Sequence, residues 1–191
     1  MAARFRRVRG GRVSVGFAEG EAALLRAMLT DLDTLLCSLE GSGADPAGAT
    51  PALDPLAAMV GIGTATSAPE DPALARLFPD GYTDDDAASS DFRRYTQVEL
   101  RDARRARIAT ALATLEATGH GREVLDAETA QAWLGVLNDL RLVLGERLEV
   151  TEDLEALLAA MAPDDPRRAA LGVYDWLGWV QETLVRALLR G

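Results

Sequence analysis

Apolar residues recur at three- and four-residue intervals along most of this 191-residue chain, which is the spacing of an amphipathic helix. The pattern is regular over residues 18–39, where Leu25, Leu29, Leu32 and Leu36 share one face. Further helices are predicted over residues 87–118, 127–148, 151–161 and after Pro166. The pattern therefore predicts a mainly α fold, a helical bundle of about five helices.

The first 17 residues carry a different pattern. Two short runs rich in Val and Arg flank the pair Gly10-Gly11, which suits the positive φ angles of a tight turn. This predicts an N-terminal β-hairpin over residues 1–17. A two-residue turn pairs Val8 with Val13 and places both on the buried face. The arginines of the hairpin then stand together on the outer face: Arg7, Arg9 and Arg12.

Residues 41–72 are crowded with Gly, Ala, Pro, Ser and Thr. Such a composition buries too little apolar surface to offset the entropy of ordering, so we expect a flexible loop here. A short helix at residues 54–60 is predicted to interrupt it, because Asp54-Pro55 provides an N-cap and a proline at the first helical position. A second short helix is predicted at residues 72–77. With a chain of this length, residues 1–191 are expected to form a single domain.

The chain is acidic, with a formal net charge of −10. This charge opposes non-specific attraction to DNA or to anionic membranes. No apolar run has the length of a membrane span, and no signal peptide is recognised, so the sequence predicts a cytoplasmic protein without a membrane partner. Two local groups of arginines nevertheless stand out as a candidate basic contact surface. They are Arg7, Arg9 and Arg12 on the hairpin, and Arg101, Arg104, Arg105 and Arg107 on the helix over residues 87–118. The alternative is that neighbouring acids neutralise both groups.

Two polar residues interrupt the helix over residues 127–148, whose other positions are apolar almost all round. A helix of that kind is buried, so Asn138 and Arg141 are expected to form a structural polar core. Because a buried charge needs a counter-charge, Arg141 is predicted to pair with a carboxylate from another helix.

Candidate catalytic chemistry is scarce. The single histidine, His120, has no serine, cysteine or paired carboxylate at a useful spacing, so we predict no catalytic residues, no metal site and no cofactor. The single cysteine, Cys37, lies at the edge of an apolar stripe. It is interpreted as a core thiol, with a redox thiol as the alternative. One cysteine excludes a disulfide within the 191 residues.

The last helix carries more large apolar residues than one side of a bundle covers. Trp176, Trp179 and Val180 are therefore a candidate interface of a homodimer. The alternative is that the hairpin and residues 52–62 cover this surface within one chain.

Three stretches resemble an actinobacterial family of largely unknown function that includes oxidative-stress transcriptional regulators. They are LFPDGY at residues 77–82 with DFR at 91–93, WLGVLNDLRLVLG at 133–145, and YDWL at 174–177. The resemblance implies a non-enzymatic regulatory or protein-interaction module with a protein partner, and it supplies no catalytic residues. The alternative is a DNA-binding transcription regulator that uses the basic N-terminal hairpin. Redox sensing by two cysteines of one chain does not apply here.

Overall fold

The computed structural model of the chain describes residues 4–40, 69–81, 85–119, 121–151 and 154–189. Most of the loop predicted over residues 41–72 lies outside these ranges. The same holds for the short helix predicted at residues 54–60 and for His120.

Six α-helices lie within the described ranges, so the mainly α prediction is confirmed. They are α1 (Glu19–Cys37), α2 (Pro72–Leu77), α3 (Asp86–Thr118), α4 (Ala127–Arg147), α5 (Leu154–Ala160) and α6 (Arg167–Leu189). A 3₁₀ turn, Ser38–Glu40, follows α1. None of the described helices is long and apolar enough to cross a membrane.

Aspartate side chains begin three of these helices. Asp71 accepts a hydrogen bond from a backbone N–H of α2, Asp85 from one of α3, and Asp126 from Thr129 of α4, with N···O distances of 2.8 to 2.9 Å. These caps satisfy N–H groups that have no partner inside the helix. The backbone hydrogen bond from Thr129 also lowers the pKa of Asp126.

The predicted N-terminal hairpin is present and belongs to a small antiparallel sheet. Its strands are β1 (Arg6–Arg7) and β2 (Val13–Val15), and β2 also pairs with β3 (Glu123–Leu125). The third strand was not predicted. It lies directly before α4 and so joins the hairpin to the helices.

The predicted register of the hairpin is wrong by one residue. Val13 lies opposite Arg7, and Val8 donates its N–H to the carbonyl oxygen of Arg12 at 2.9 Å. The turn contains three residues, Arg9–Gly11, and both of its glycines have positive φ angles, 78° and 74°. A shift of one residue turns a strand over, so Phe5, which directly precedes β1, is buried and Val8 is only half-buried. The shift also places Arg7 on the face of Val13, so the prediction that Arg7 and Arg12 share one face is wrong.

Helix α4 lies at the centre of the molecule, in contact with α2, α3 and α6. Trp133 of α4 is fully buried and meets the rings of Phe5 and Phe17 at centroid distances of 5.7 and 5.3 Å. These aromatic contacts hold the N-terminal segment on the helices. A second apolar cluster around Leu171 packs α5 on α6.

Candidate functional site

Two arginines of the α3 group pair with acids at the surface. Arg101 lies 2.9 Å from the carboxylate of its neighbour Asp102. The Nε atom of Arg105 lies 2.8 Å from Asp33 of α1. Exposed pairs of this kind contribute little to stability, but they do reduce the positive charge of α3.

The other two arginines of this group of four, Arg104 and Arg107, point inward to one carboxylate. Asp139 of α4 is only 3% exposed, and it forms ion pairs with both Arg104 and Arg107. Arg104 also donates to the carbonyl oxygen of Leu77 at 2.7 Å and lies over the ring of Phe78 at 5.2 Å. Asp139 and Arg104 therefore tie α4 and α3 to the end of α2.

Each arginine of the candidate surface on α3 thus has a carboxylate partner. This arrangement is the one expected from internal neutralisation, and it removes much of the positive field that a nucleic acid requires. That the α3 group forms a contact surface for a partner stays a prediction.

The expectation that Asn138 belongs to a polar core is wrong, because Asn138 is exposed. Its neighbour Asp139 is the buried polar residue of α4. Sequence reasoning missed Asp139, although it stands between Leu137 and Leu140, which are both buried. The other signal in the sequence was the spacing of Arg104 and Arg107, which lie three residues apart on α3 and so can reach one carboxylate.

The prediction that Arg141 pairs with a carboxylate from another helix is wrong. Arg141 is half-buried, and within the described residues it pairs with no carboxylate. Its Nη1 atom donates to Oε1 of Gln181 at 2.8 Å, and its guanidinium lies 5.2 Å from the ring centroid of Tyr174. Because the side chain keeps some contact with water, an amide and an aromatic face replace the expected counter-charge.

The hairpin arginines differ from those of α3. Arg7, Arg9 and Arg12 are all exposed. Among the described residues, no carboxylate forms an ion pair with any of the three. The hairpin thus keeps its positive charge at the surface of an acidic chain.

The candidate dimer residues do not share one surface. Val180 is fully buried in the core of the chain, so its assignment to an interface is wrong. It faces inward because α6 packs on α4 and on the hairpin. Trp176 is half-buried against the same core, and Trp179 is 40% exposed. Only Trp179 of the three presents a large exposed surface.

Cys37 is the last residue of α1 and is half-buried with a free thiol. Within the described residues, no three His, Cys, Asp or Glu side chains are arranged to hold a metal ion. Neither observation tests the redox interpretation of Cys37, which stays a prediction.

Comparison with known proteins confirms the family resemblance. The family model described as "Domain of unknown function (DUF2017)" matches residues 1–188. The putative oxidative stress regulator AosR of Mycobacterium leprae is 34% identical to the chain, and the oxidative stress regulators AosR of Mycobacterium bovis and Mycobacterium tuberculosis are 32% identical. Each alignment covers 94% of this chain and 84% of the relative. No solved structure is significantly similar. The chain belongs to the DUF2017 family.

Proposed function

We propose that this chain is a regulatory protein of the response to oxidative stress and that it acts by binding a partner protein rather than by catalysis. The observation that carries the proposal is the identity of 32 to 34% with proteins named oxidative stress regulators over 94% of the chain. The charges of the described surface agree with it, because each of the four candidate arginines of α3 forms an ion pair within the chain.

The basic hairpin is the surface that we assign to the partner. Arg7, Arg9 and Arg12 carry positive charge without a carboxylate partner in the described part of a chain whose net charge is −10. A partner with an acidic surface complements this hairpin, while like-charge repulsion from the rest of the chain restricts where else it can dock.

A deletion strain of the native host tests the proposal. Loss of the gene should reduce survival under peroxide, and the intact chain should restore it. The triple variant Arg7→Glu, Arg9→Glu and Arg12→Glu should fail to restore survival and should lose the partner in a cross-linked pull-down. A matched control replaces three other exposed arginines by glutamate and should restore survival: Arg26, Arg76 and Arg94. Equal survival of the deletion strain and its parent would reject the regulatory role.

DNA binding through the hairpin is the second candidate, and the same unpaired arginines favour it. Guanidinium groups bind phosphates well, and a basic hairpin can act as a wing in contact with a DNA groove. An electrophoretic shift assay at physiological salt with a broad promoter pool separates the candidates. A shift that disappears in the hairpin variant but persists in the matched control supports DNA binding, and no shift at all excludes it.

Self-association through the last helix is a further part of the proposal, with Trp179 as the exposed residue at its centre. Light scattering over micromolar concentrations tests it. A dimer that Trp179→Glu weakens without a loss of helicity supports the interface. A mass that stays at 20.4 kDa rejects it.

A further inference from the structure

A polar groove runs between α3 and the first three turns of α4, and one residue of α6 completes it. Its volume is about 840 Å³. Arg107 of α3, Asn138 of α4 and Gln181 of α6 lie in its walls. This volume falls in the range of small-molecule sites, and none of the three hairpin arginines lines the groove.

Gly135 of α4 leaves room for the side chain of Arg107 in the groove. A Cβ atom at Gly135 would lie 2.8 Å from both Cδ and Nε of Arg107, which is closer than non-bonded atoms approach. The missing side chain therefore lets the guanidinium stem lie against the backbone of α4. This fixes the position of a long side chain that would otherwise lose much freedom on binding a ligand.

The hydrogen-bonding capacity of Arg107 is largely unused. Within the described residues its only ion pair is with Asp139, at 3.4 Å, which is long for a hydrogen bond. Its Nε atom is buried and has no acceptor there. The side chain is 34% exposed, so part of the guanidinium remains open to a ligand.

The charges around Asp139 leave a positive surplus. One carboxylate faces two guanidinium groups, and Arg104 makes the closer contact with it. The surplus of one unit at Arg107 matches a carboxylate, whereas a phosphate group of about −1.5 to −2 exceeds it. The planar fork of an arginine also fits a carboxylate in a bidentate manner.

Two side-chain amides of the groove can donate hydrogen bonds to a ligand. Oε1 of Gln181 already accepts a hydrogen bond from Arg141, which leaves the NH₂ group of Gln181 as the part available for binding. Asn138 is exposed and adds a second amide. Glu128 lines the opposite end, about 15 Å along α4 from Asn138, so that end suits a neutral or cationic group.

We propose that this groove binds a small organic molecule whose carboxylate pairs with Arg107 and accepts hydrogen bonds from the amides of Gln181 and Asn138. The site is separate from the partner surface assigned to the hairpin and does not depend on it.

Two-dimensional ¹H–¹⁵N NMR of the full chain tests the site. The probes are small carboxylic acids, each paired with its uncharged primary carboxamide, in 150 mM NaCl as about the physiological ionic strength. We expect at least one acid to shift the signals of the Arg107 Nε–H and the Gly135 amide with a Kd below about 1 mM. The matching carboxamide should bind at least about tenfold more weakly, because it lacks the charge.

Variants locate the binding. Arg107→Ala should weaken the acid about tenfold or more, and Gly135→Ala should weaken it because the new methyl group displaces Arg107. Arg26→Ala, which removes an exposed arginine of α1, should leave the Kd unchanged. If Arg107→Ala alters the circular dichroism spectrum, Arg107→Lys takes its place, since it keeps the charge and removes the fork; it too should weaken binding.

Several results would overturn the proposal. They are the absence of binding by any acid, equal binding of an acid and its carboxamide, and binding that persists in Arg107→Ala or in its substitute, Arg107→Lys. Shifts confined to Gly10 and Gly11 would place the anion on the hairpin and would also overturn it.

Discussion

The replacement Asp139→Asn should cost about 3 kcal/mol of unfolding free energy. Asp139 is 3% exposed, and the side chain of Arg104 is 16% exposed, so the change leaves a nearly buried guanidinium without its counter-charge. Breaking a buried pair in this way costs about 3 to 5 kcal/mol. The lower end applies because Arg104 keeps its hydrogen bond to Leu77 and its contact with the Phe78 ring.

Urea unfolding followed by far-ultraviolet circular dichroism measures this loss. Domains are stable by about 5 to 15 kcal/mol, so a loss of about 3 kcal/mol moves the midpoint far beyond experimental error. The matched control is Asp102→Asn, which removes a carboxylate from an exposed pair on α3 with the Asp102 side chain 58% exposed. The control should lose less than about 1 kcal/mol.

A double variant that lacks the charges of both Asp139 and Arg104 tests this argument. Asp139→Leu combined with Arg104→Met removes both charges of the closer pair, and Arg107, whose side chain is 34% exposed, keeps its contact with water. The double variant should therefore be more stable than Asp139→Asn. A loss below about 1 kcal/mol in Asp139→Asn would refute the view that this ion pair neutralises a buried charge.

Three other predictions follow from single residues. Phe5→Ala should cost about 3 to 5 kcal/mol, because the ring is 2% exposed against Trp133, and an unchanged melting temperature would contradict this. Asp126→Ala should lose more stability at pH 7 than at pH 3, because the hydrogen bond from Thr129 lowers the folded-state pKa of Asp126. The stabilisation by the ionised carboxylate is present above about pH 4 and is lost as the pH falls through the lowered pKa. Cys37 should react with a thiol reagent more slowly in the folded chain than in urea, since it is half-buried, and equal rates would show that the thiol is fully accessible.

The helices could be predicted because each long one repeats its apolar positions over several turns. The predicted short helix at residues 72–77 is present for a local reason, since Asp71 caps it and Pro72 occupies its first position. The strand β3 has only three residues, Glu123–Leu125, which is too short for an alternating pattern to be recognised. Its pairing with β2, more than 100 residues earlier, is a property of the folded chain.

The hairpin shows how a small local error changes a surface. Both glycines of the turn have positive φ angles, as expected for a tight turn, but Arg9 joins them to make a loop of three residues. The sequence is compatible with a turn of two residues and with a turn of three. Burial decides between them, because both registers place Val13 on the side of the core but only the observed one also places Phe5 there, where it packs on Trp133.

The polar core could not be placed from the sequence because α4 is apolar in nearly every direction. A step of one residue turns a side chain by about 100° around a helix, so choosing Asn138 instead of Asp139 selects a different face. In an amphipathic helix the apolar stripe would settle that choice, but here the periodicity gives no direction. The choice depends on which helix lies opposite, and the arginines that select Asp139 stand 35 and 32 residues away on α3. The same rotation turns Asn138 outward into the polar groove. One unpredicted contact between α3 and α4 therefore determines both the buried ion pair and the residues available to a ligand.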